Sequence, residues 1–147
     1  MRSMLIHVAF ALLLAASLAA CGTSSEAPPR QALSAEEIET ALVGNTLVRL
    51  MGGAFFSWEY KGVHAADGTM VGRVRGPSEV ERLPGTWEVT GDDLYCRTWS
   101  NNWGDGRRGC FRVSRAGEEL IFEHVSGTSG GQRRYVYQWQ AGVPEDF

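Results

Sequence analysis

Two segments, LYCRTWS at residues 94–100 and RGCFRVS at residues 108–114, decide how this chain folds. In each of them apolar and polar side chains alternate with a period of two, which is typical of a half-buried β-strand. When Cys96 is placed opposite Cys110 in an antiparallel pair, the two alternations agree without adjustment. One predicted face is aromatic and apolar, and it carries Tyr95, Trp99, Phe111 and Val113. The other face holds the two cysteines beside Thr98, Arg108 and Arg112.

The two cysteines of this strand pair are predicted to form a disulfide. Paired cysteines persist as disulfides in an oxidising compartment, and a bridge here would stabilise the fold by about 3 kcal/mol. A metal site and two free thiols are the alternatives. Because neither Cys96 nor Cys110 has a His or a further Cys at ligand spacing, a zinc site is the weaker interpretation.

The same alternation continues on both sides of this pair. Short runs rich in Val, Thr, Phe, Tyr and Trp are separated by turn residues, and crossover helices of the kind a parallel sheet needs are missing. The predicted strands are Thr46–Met51, Ala54–Tyr60, Thr69–Arg75, Thr86–Thr90, Leu94–Ser100, Arg108–Ser114, Glu119–Val125 and Gln132–Trp139. About eight antiparallel strands at this spacing predict an all-β, up-and-down barrel, with a two-sheet sandwich as the alternative.

Several segments are predicted to connect these strands. Lys61-Gly62 and Asp67-Gly68 are predicted turns, and Pro77–Pro84 is a predicted polar connection. Ser126–Gly131 is rich in Gly and Ser and is predicted to be a loop.

One short helix is predicted ahead of the strands. Ser34 and Glu37 have the spacing of a capping box, in which each side chain bonds a backbone amide of the other. Ile38, Ala41 and Leu42 fall on one helical face, and a glycine follows at position 44. The pattern predicts a helix over residues 35–43.

The N-terminus has the layout of a secretory signal peptide over residues 1–20. Arg2 precedes an apolar run from Leu5 to Ser17, and the run ends in Leu18-Ala19-Ala20-Cys21. This ending resembles the lipobox of bacterial lipoproteins, which implies that Cys21 is lipidated. The run is too short to span a bilayer, for which about 20 apolar residues are needed. An ordinary cleaved signal with a coincidental cysteine is the alternative.

The location that follows is the bacterial envelope. The residue after the cysteine is Gly22 and not Asp, which favours the periplasmic face of a Gram-negative outer membrane over inner-membrane retention. Residues 21–33 are predicted to form a flexible tether, and residues 34–147 a single barrel domain. The predicted partner is the membrane, through the lipid on Cys21. A net charge of −3 argues against a nucleic-acid partner, and the location does so more strongly.

The chain offers no convincing catalytic or metal-binding motif. The G-x-G-x-x-G string at residues 104–109 lies between predicted strands and leads into no helix. The G-x-S-x-G string around Ser129 is not followed by a histidine, and His124 precedes it. His64 and His124 belong to no metal-ligand pattern. We therefore predict no catalytic residue, no metal and no cofactor.

The candidate binding residues lie in the predicted hairpins. Trp103 is expected at the tip of the hairpin that Trp99 enters, where an aromatic side chain can anchor a partner. The arginines Arg107 and Arg108 belong to a group that forms either a basic patch for an anionic ligand or a solvated outer face paired with Glu residues, of which we favour the second. Ser129 lies in the Ser126–Gly131 loop.

Five short motifs occur in a characteristic order: GNT at 44–46, DGT at 67–69, GTWEV at 85–89, LYC at 94–96 and CFRV at 110–113. In this order they resemble a family of small secreted proteobacterial proteins of unknown function, over about residues 38–125. The resemblance implies a calycin-like β-barrel and no particular activity. The G-x-W at residues 85–87 is also similar to that of lipocalins and avidins, where it opens the barrel, whereas here it lies mid-chain.

A fainter resemblance is to the membrane-bound inhibitors of C-type lysozyme, which are small barrel lipoproteins. Those proteins carry a Tyr-x-Cys strand and a Ser-Gly loop before a Tyr. Here Tyr95-Cys96 lacks the intervening residue, and Ser129-Gly130 lies further from Tyr135 than in that family.

Together these features predict a non-enzymatic, lipid-anchored envelope protein that binds something. The ligand is expected to be a small amphiphile in the barrel mouth, or another envelope protein at the Trp103 hairpin. The alternative is a steric inhibitor of lysozyme or of a protease, acting through the Ser126–Gly131 loop or through Trp103. An open interior favours the small ligand, and a fully packed one argues against it.

Overall fold

The computed structural model describes residues 27–53, 56–77, 80–100, 106–145 and 147. Its helix is α1 (Ala35–Leu42), and its strands are β1 (Gln31–Ala32), β2 (Thr46–Gly53), β3 (Phe56–His64), β4 (Thr69–Arg75), β5 (Val80–Val89), β6 (Leu94–Trp99), β7 (Gly109–Ala116), β8 (Glu119–Gly127) and β9 (Arg134–Gln140). Within those ranges no helix combines the length and the apolarity that a membrane span requires.

Strands β2 to β9 form a closed eight-stranded antiparallel barrel. Each strand pairs with the next along the chain, and β9 returns to pair with β2, where Leu47 lies opposite Trp139. The predicted up-and-down barrel is therefore confirmed, and the sandwich alternative is wrong.

The predicted register of β6 and β7 is also confirmed. Tyr95 lies opposite Phe111, and Cys96 lies opposite Cys110. The sulfur atoms of Cys96 and Cys110 are at bonding distance and form the disulfide. Tyr95, Trp99, Phe111 and Val113 are buried in the barrel, as the alternation predicts.

Two of the predicted connections are wrong. Strand β3 runs through Lys61 and Gly62, which pair with β2 on one side and with β4 on the other. Gly62 is needed for packing and not for a turn, because a Cβ there would overlap the hydroxyl of Tyr60. Strand β5 begins at Val80, inside the predicted Pro77–Pro84 connection, since Leu83 is buried in the core and its strand pairs with β4.

Helix α1 lies across one end of the barrel. The Ser34–Glu37 capping box is present, and the carboxylate of Asp93 in the β5–β6 turn accepts a hydrogen bond from the Ala35 amide at 2.7 Å. At the other side of the barrel the indole of Trp139 donates to the Ala41 carbonyl at 2.8 Å. The helix buries Ile38, Ala41 and Leu42 in the core, so we call this the closed end.

Regular β-structure begins before the predicted domain boundary at residue 34. Gln31 and Ala32 form β1, which pairs with Arg115 and Ser114 of β7, beyond the first residue of β6. Arg30 holds this segment in place by donating to the Ser114 hydroxyl at 2.7 Å. The last residues of the predicted tether are thus part of the barrel wall.

Candidate functional site

The end of the barrel opposite α1 contains a cavity of about 240 Å³ that opens to solvent. We call it the mouth cavity, and this end the open end. It is lined by inward side chains of β2, β3, β6 and β9 and by the loop after β8, among them Arg49, Tyr60, Arg97, Trp99, Ser129 and Tyr135. The barrel interior is therefore packed at the closed end and hollow at the open end.

Glycines in the barrel wall explain how the mouth cavity can stay open although large aromatic side chains line it. Gly72 of β4 and Gly85 of β5 are buried and face inward. A Cβ at Gly72 would lie 2.8 Å from the Tyr60 ring, and one at Gly85 would lie 3.1 Å from the Trp99 ring. Because these positions lack side chains, the rings of Tyr60 and Trp99 lie against the wall and leave space beside them.

Arg97 is the charged residue at the base of the mouth cavity. It lies on β6 between Tyr95 and Trp99 and faces inward like both of them. One guanidinium nitrogen donates to the Tyr137 hydroxyl at 3.3 Å. The guanidinium carbon lies 5.0 Å from the ring centres of Phe111 and Tyr135 and 5.4 Å from that of Trp99. These distances are typical of cation–π contacts.

No carboxylate of the described residues forms an ion pair with Arg97. Burial alone lowers the pKa of the guanidinium, but the phenol groups of Tyr137, Tyr95 and Tyr60 more than offset this, and the net shift is upward. Burial raises the pKa values of Tyr60 and Tyr95, so these phenols stay neutral. The base of the cavity thus holds a permanent positive charge among neutral partners.

Side chains of the rim hold the loop between β8 and β9 over the cavity. The Tyr135 hydroxyl donates to the Ser129 carbonyl. Arg49 donates to the Gln132 side chain at 2.7 Å and lies over the Tyr135 ring at 5.0 Å. The loop between β8 and β9 is therefore fastened at two points to the barrel wall.

Below Arg97 the interior is closed by a polar contact among aromatic rings. The Nε2 atom of His64 lies 2.9 Å from the Tyr95 hydroxyl, and the ring packs edge-on against Trp87. Burial, with a smaller contribution from the Arg97 charge, lowers the pKa of His64 to about 3. His64 is therefore a neutral core residue.

The geometry is the only guide to what this site does. No protein-family model, curated protein or solved structure matches the chain. Within the described ranges, no group of three or more His, Cys, Asp or Glu side chains is placed to hold a metal ion.

The predicted binding residues are not all in one place. Trp99, Arg107 and Ser129 line the mouth cavity. Arg108 lies on the outside of the barrel, where it pairs with Glu88 at 2.7 Å. Trp103 and Cys21 lie outside the described residues.

Ser129 of the G-x-S-x-G string and His124, the two groups that a serine hydrolase would need together, make separate contacts. His124 Nε2 lies 3.0 Å from the Gly127 carbonyl, and the Ser129 carbonyl accepts from Tyr135. Among the described residues no hydrogen bond joins His124 to Ser129.

Sequence reasoning missed the residue at the centre of the site. Arg97 stands two positions after Tyr95 and two before Trp99, so the alternation that places those rings inside also places Arg97 inside. It was overlooked because an arginine on a strand is expected to face solvent. Alternation also places Tyr60 and Tyr137 inside the barrel. The incorrectly predicted turn at Lys61-Gly62, however, ended the strand at Tyr60 and hid the position of Tyr60 within it.

Proposed function

We propose that this protein is a lipid-anchored bacterial envelope protein whose barrel binds a small amphiphilic molecule in the mouth cavity, without catalysis. The observation that carries the proposal is the open, aromatic-lined cavity with polar groups at its base and rim. Preformed concave sites of this kind, apolar with a few oriented polar groups, are where small ligands bind.

Two features support the envelope location. The sequence ending in Cys21 has the pattern of a lipidation site, and the Cys96–Cys110 disulfide fits an oxidising compartment. Pro28 lies beside Gly117 in the β7–β8 turn, which is at the closed end. An anchor at Cys21 would hold this end toward the bilayer and leave the mouth cavity facing away from it.

The fastened loop favours cavity binding over steric inhibition of lysozyme or of a protease. An inhibitory loop must project into the cleft of its target, whereas Thr128 and Ser129 are half-buried and line the mouth cavity. A direct inhibition assay against C-type lysozyme would decide this alternative. Loss of lysozyme activity at stoichiometric protein would favour the inhibitor.

A blocking substitution tests the proposed function. The full chain, reconstituted in neutral phosphatidylcholine vesicles, would be titrated with phenylpropanol and phenylpropionate while Trp fluorescence and thermal unfolding are recorded. Thr128→Trp places an indole in the mouth cavity, and Thr40→Trp adds the same group on the exposed face of α1. We expect binding in the wild type and in Thr40→Trp but not in Thr128→Trp. Absence of binding in the wild type, or equal binding by both variants, would contradict the proposal.

A further inference from the structure

We infer that the ligand of the mouth cavity is a small organic carboxylate, whose anionic group binds Arg97 and whose apolar or aromatic body lies against Trp99 and Tyr60. This inference rests on the proposed function and deepens it by naming the chemical class of the ligand. The inference follows from the charge of Arg97, from its N–H donors and from the dimensions of the cavity.

The charge of Arg97 lacks a counter-ion among the described residues. A cation removed from water loses hydration, and proteins normally offset this loss with an ion pair. Here the Arg97 guanidinium contacts the Tyr137 hydroxyl and the faces of Trp99, Phe111 and Tyr135. Aromatic faces offset only part of the loss, so an anion that enters the cavity gains a strong and otherwise unused attraction.

Arg97 also has hydrogen-bond donors to spare. A guanidinium presents a fork of five N–H donors, and among the described residues one of these donors bonds the Tyr137 hydroxyl, with the phenols of Tyr95 and Tyr135 close by. These hydroxyls cannot use every donor of the fork. The planar fork matches the two oxygens of a carboxylate, which bind side by side.

The walls of the cavity determine the rest of the ligand. Tyr60 and Trp99 meet edge to face with ring centres 6.4 Å apart and present apolar surface beside the guanidinium. At about 240 Å³ the cavity lies below the roughly 300–1,000 Å³ of most small-molecule sites. It therefore suits one ring or a short chain and is too small for a two-chain lipid or a glycan.

The rim adds positive charge on the path into the cavity. Arg49 and Arg107 both line the opening. Arg49 is held by Gln132 and by the face of Tyr135, so its charge stays at the rim. A positive charge held at the rim above the Arg97 guanidinium attracts anions and repels cationic ligands.

The alternative is that Arg97 has only a structural role, braced by the rings around it. In that case its loss changes stability but not the preference among ligands that differ only in charge. The decisive comparison is therefore between phenylpropionate, the neutral phenylpropanol and the cationic phenylpropylammonium, which share one apolar body.

Isothermal titration of the full chain in phosphatidylcholine vesicles, with empty vesicles as the blank, makes this comparison. We expect the affinity for phenylpropionate to be at least about tenfold higher than that for phenylpropanol, because a hydrogen bond between charged groups contributes about that much to binding. Phenylpropylammonium should not bind measurably. Equal affinities for the acid and the alcohol would overturn the inference while leaving the proposed function in place, and absence of binding by all three would overturn both.

Three variants then assign the preference to Arg97. Arg97→Met should abolish the preference for phenylpropionate and keep the affinity for phenylpropanol. Arg97→Lys retains the charge but not the fork, and should fall between the wild type and Arg97→Met. Arg112→Met, an exposed position on the neighbouring strand β7, is the matched control and should bind like the wild type. Retention of the preference by Arg97→Met would overturn the assignment.

The wild-type comparison between acid and alcohol needs no substitution, so it remains decisive should Arg97→Met fail to fold. Thermal unfolding of each variant without ligand shows whether it is folded. A lost preference in a folded Arg97→Met supports the inference.

Discussion

The closed and open ends of this barrel are built from the same strands but filled in different ways. On β6, Tyr95 is fully buried among Trp87, Phe111 and Phe122, whereas Arg97, one inward position further on, borders a cavity. The period of two determines which side chains point inward. The size of the neighbouring side chains determines whether an inward residue is packed or exposed to a cavity, and the wall glycines leave room at the open end.

The largest predicted difference between the two ends is in stability. Phe122 packs against Tyr95 and Tyr137 with ring centres 5.1 and 5.2 Å away. Phe122→Ala should lower the free energy of unfolding by about 3–5 kcal/mol, because it leaves a void in a packed core. Met51→Ala, at the half-buried rim of the mouth cavity, should cost about 1 kcal/mol or less. Denaturant unfolding would measure both values, and equal losses would contradict the division of the interior.

The disulfide should stabilise the whole barrel without changing the relative affinity of the mouth cavity for different ligands. It joins β6 to β7 on the outer face of the wall, away from the mouth cavity. Replacement of both Cys96 and Cys110 by Ala should lower the free energy of unfolding by about 3 kcal/mol, since the unfolded chain gains freedom. The relative affinity for phenylpropionate and phenylpropanol should not change. A change in that preference would show that the wall at Arg97 depends on the bridge.

The buried His64 at the closed end should make the folded protein less stable as the pH falls. Its pKa falls from the ordinary 6.5 to about 3 on folding, so between these values the unfolded chain binds a proton that the folded one does not. Stability from this group is therefore full above about pH 6.5 and is lost as the pH falls, by at most about 1.4 kcal/mol per pH unit.

His64→Gln removes the titrating group while keeping a side chain that bonds the Tyr95 hydroxyl. The difference between wild type and His64→Gln in denaturant unfolding, followed from pH 7 to pH 4, isolates this group from the carboxylates that titrate in both. His124→Gln, at a half-buried position on β8, is the control for the loss of a histidine elsewhere in the barrel. Parallel curves for wild type and His64→Gln would show that His64 is not neutral in the fold.

Only a small effect on stability is expected at Arg97. Met in place of the half-buried Arg97 loses the hydrogen bond to Tyr137 and the contacts with the aromatic faces, but it also removes the cost of taking a charge out of water. Arg97→Met should therefore change the free energy of unfolding by about 1 kcal/mol or less, in either direction. A loss as large as that of Phe122→Ala would show that Arg97 is a structural element of the core.

The sequence was informative where a local rule acts alone. The β6–β7 register followed from the cysteines and from alternation, and α1 followed from the Ser34–Glu37 capping box. Local rules failed where a distant contact decides. Gly62 has the sequence of a turn but makes room for Tyr60. The part of the predicted Pro77–Pro84 connection from Val80 onward belongs to β5, because Leu83 enters the core.

The site was less predictable than the fold. Alternation placed Arg97 inside, but the cavity depends on how Tyr60 and Trp99 lie against glycines in two other strands. The fastening of the loop at Ser129 depends on Tyr135, six residues away on the next strand. Such pairings appear only once all eight strands have closed into the barrel.

The most direct test of an anion site at the open end is NMR of the arginine side chains during titration with phenylpropionate. The full chain, labelled at the arginine Nε atoms and held in lipid nanodiscs, would report each guanidinium separately. We predict that the Arg97 Nε–H resonance shifts progressively and saturates, while those of the exposed Arg112 and Arg134 stay in place. A stationary Arg97 resonance at saturating phenylpropionate, or shifts confined to the exposed arginines, would contradict the proposed site.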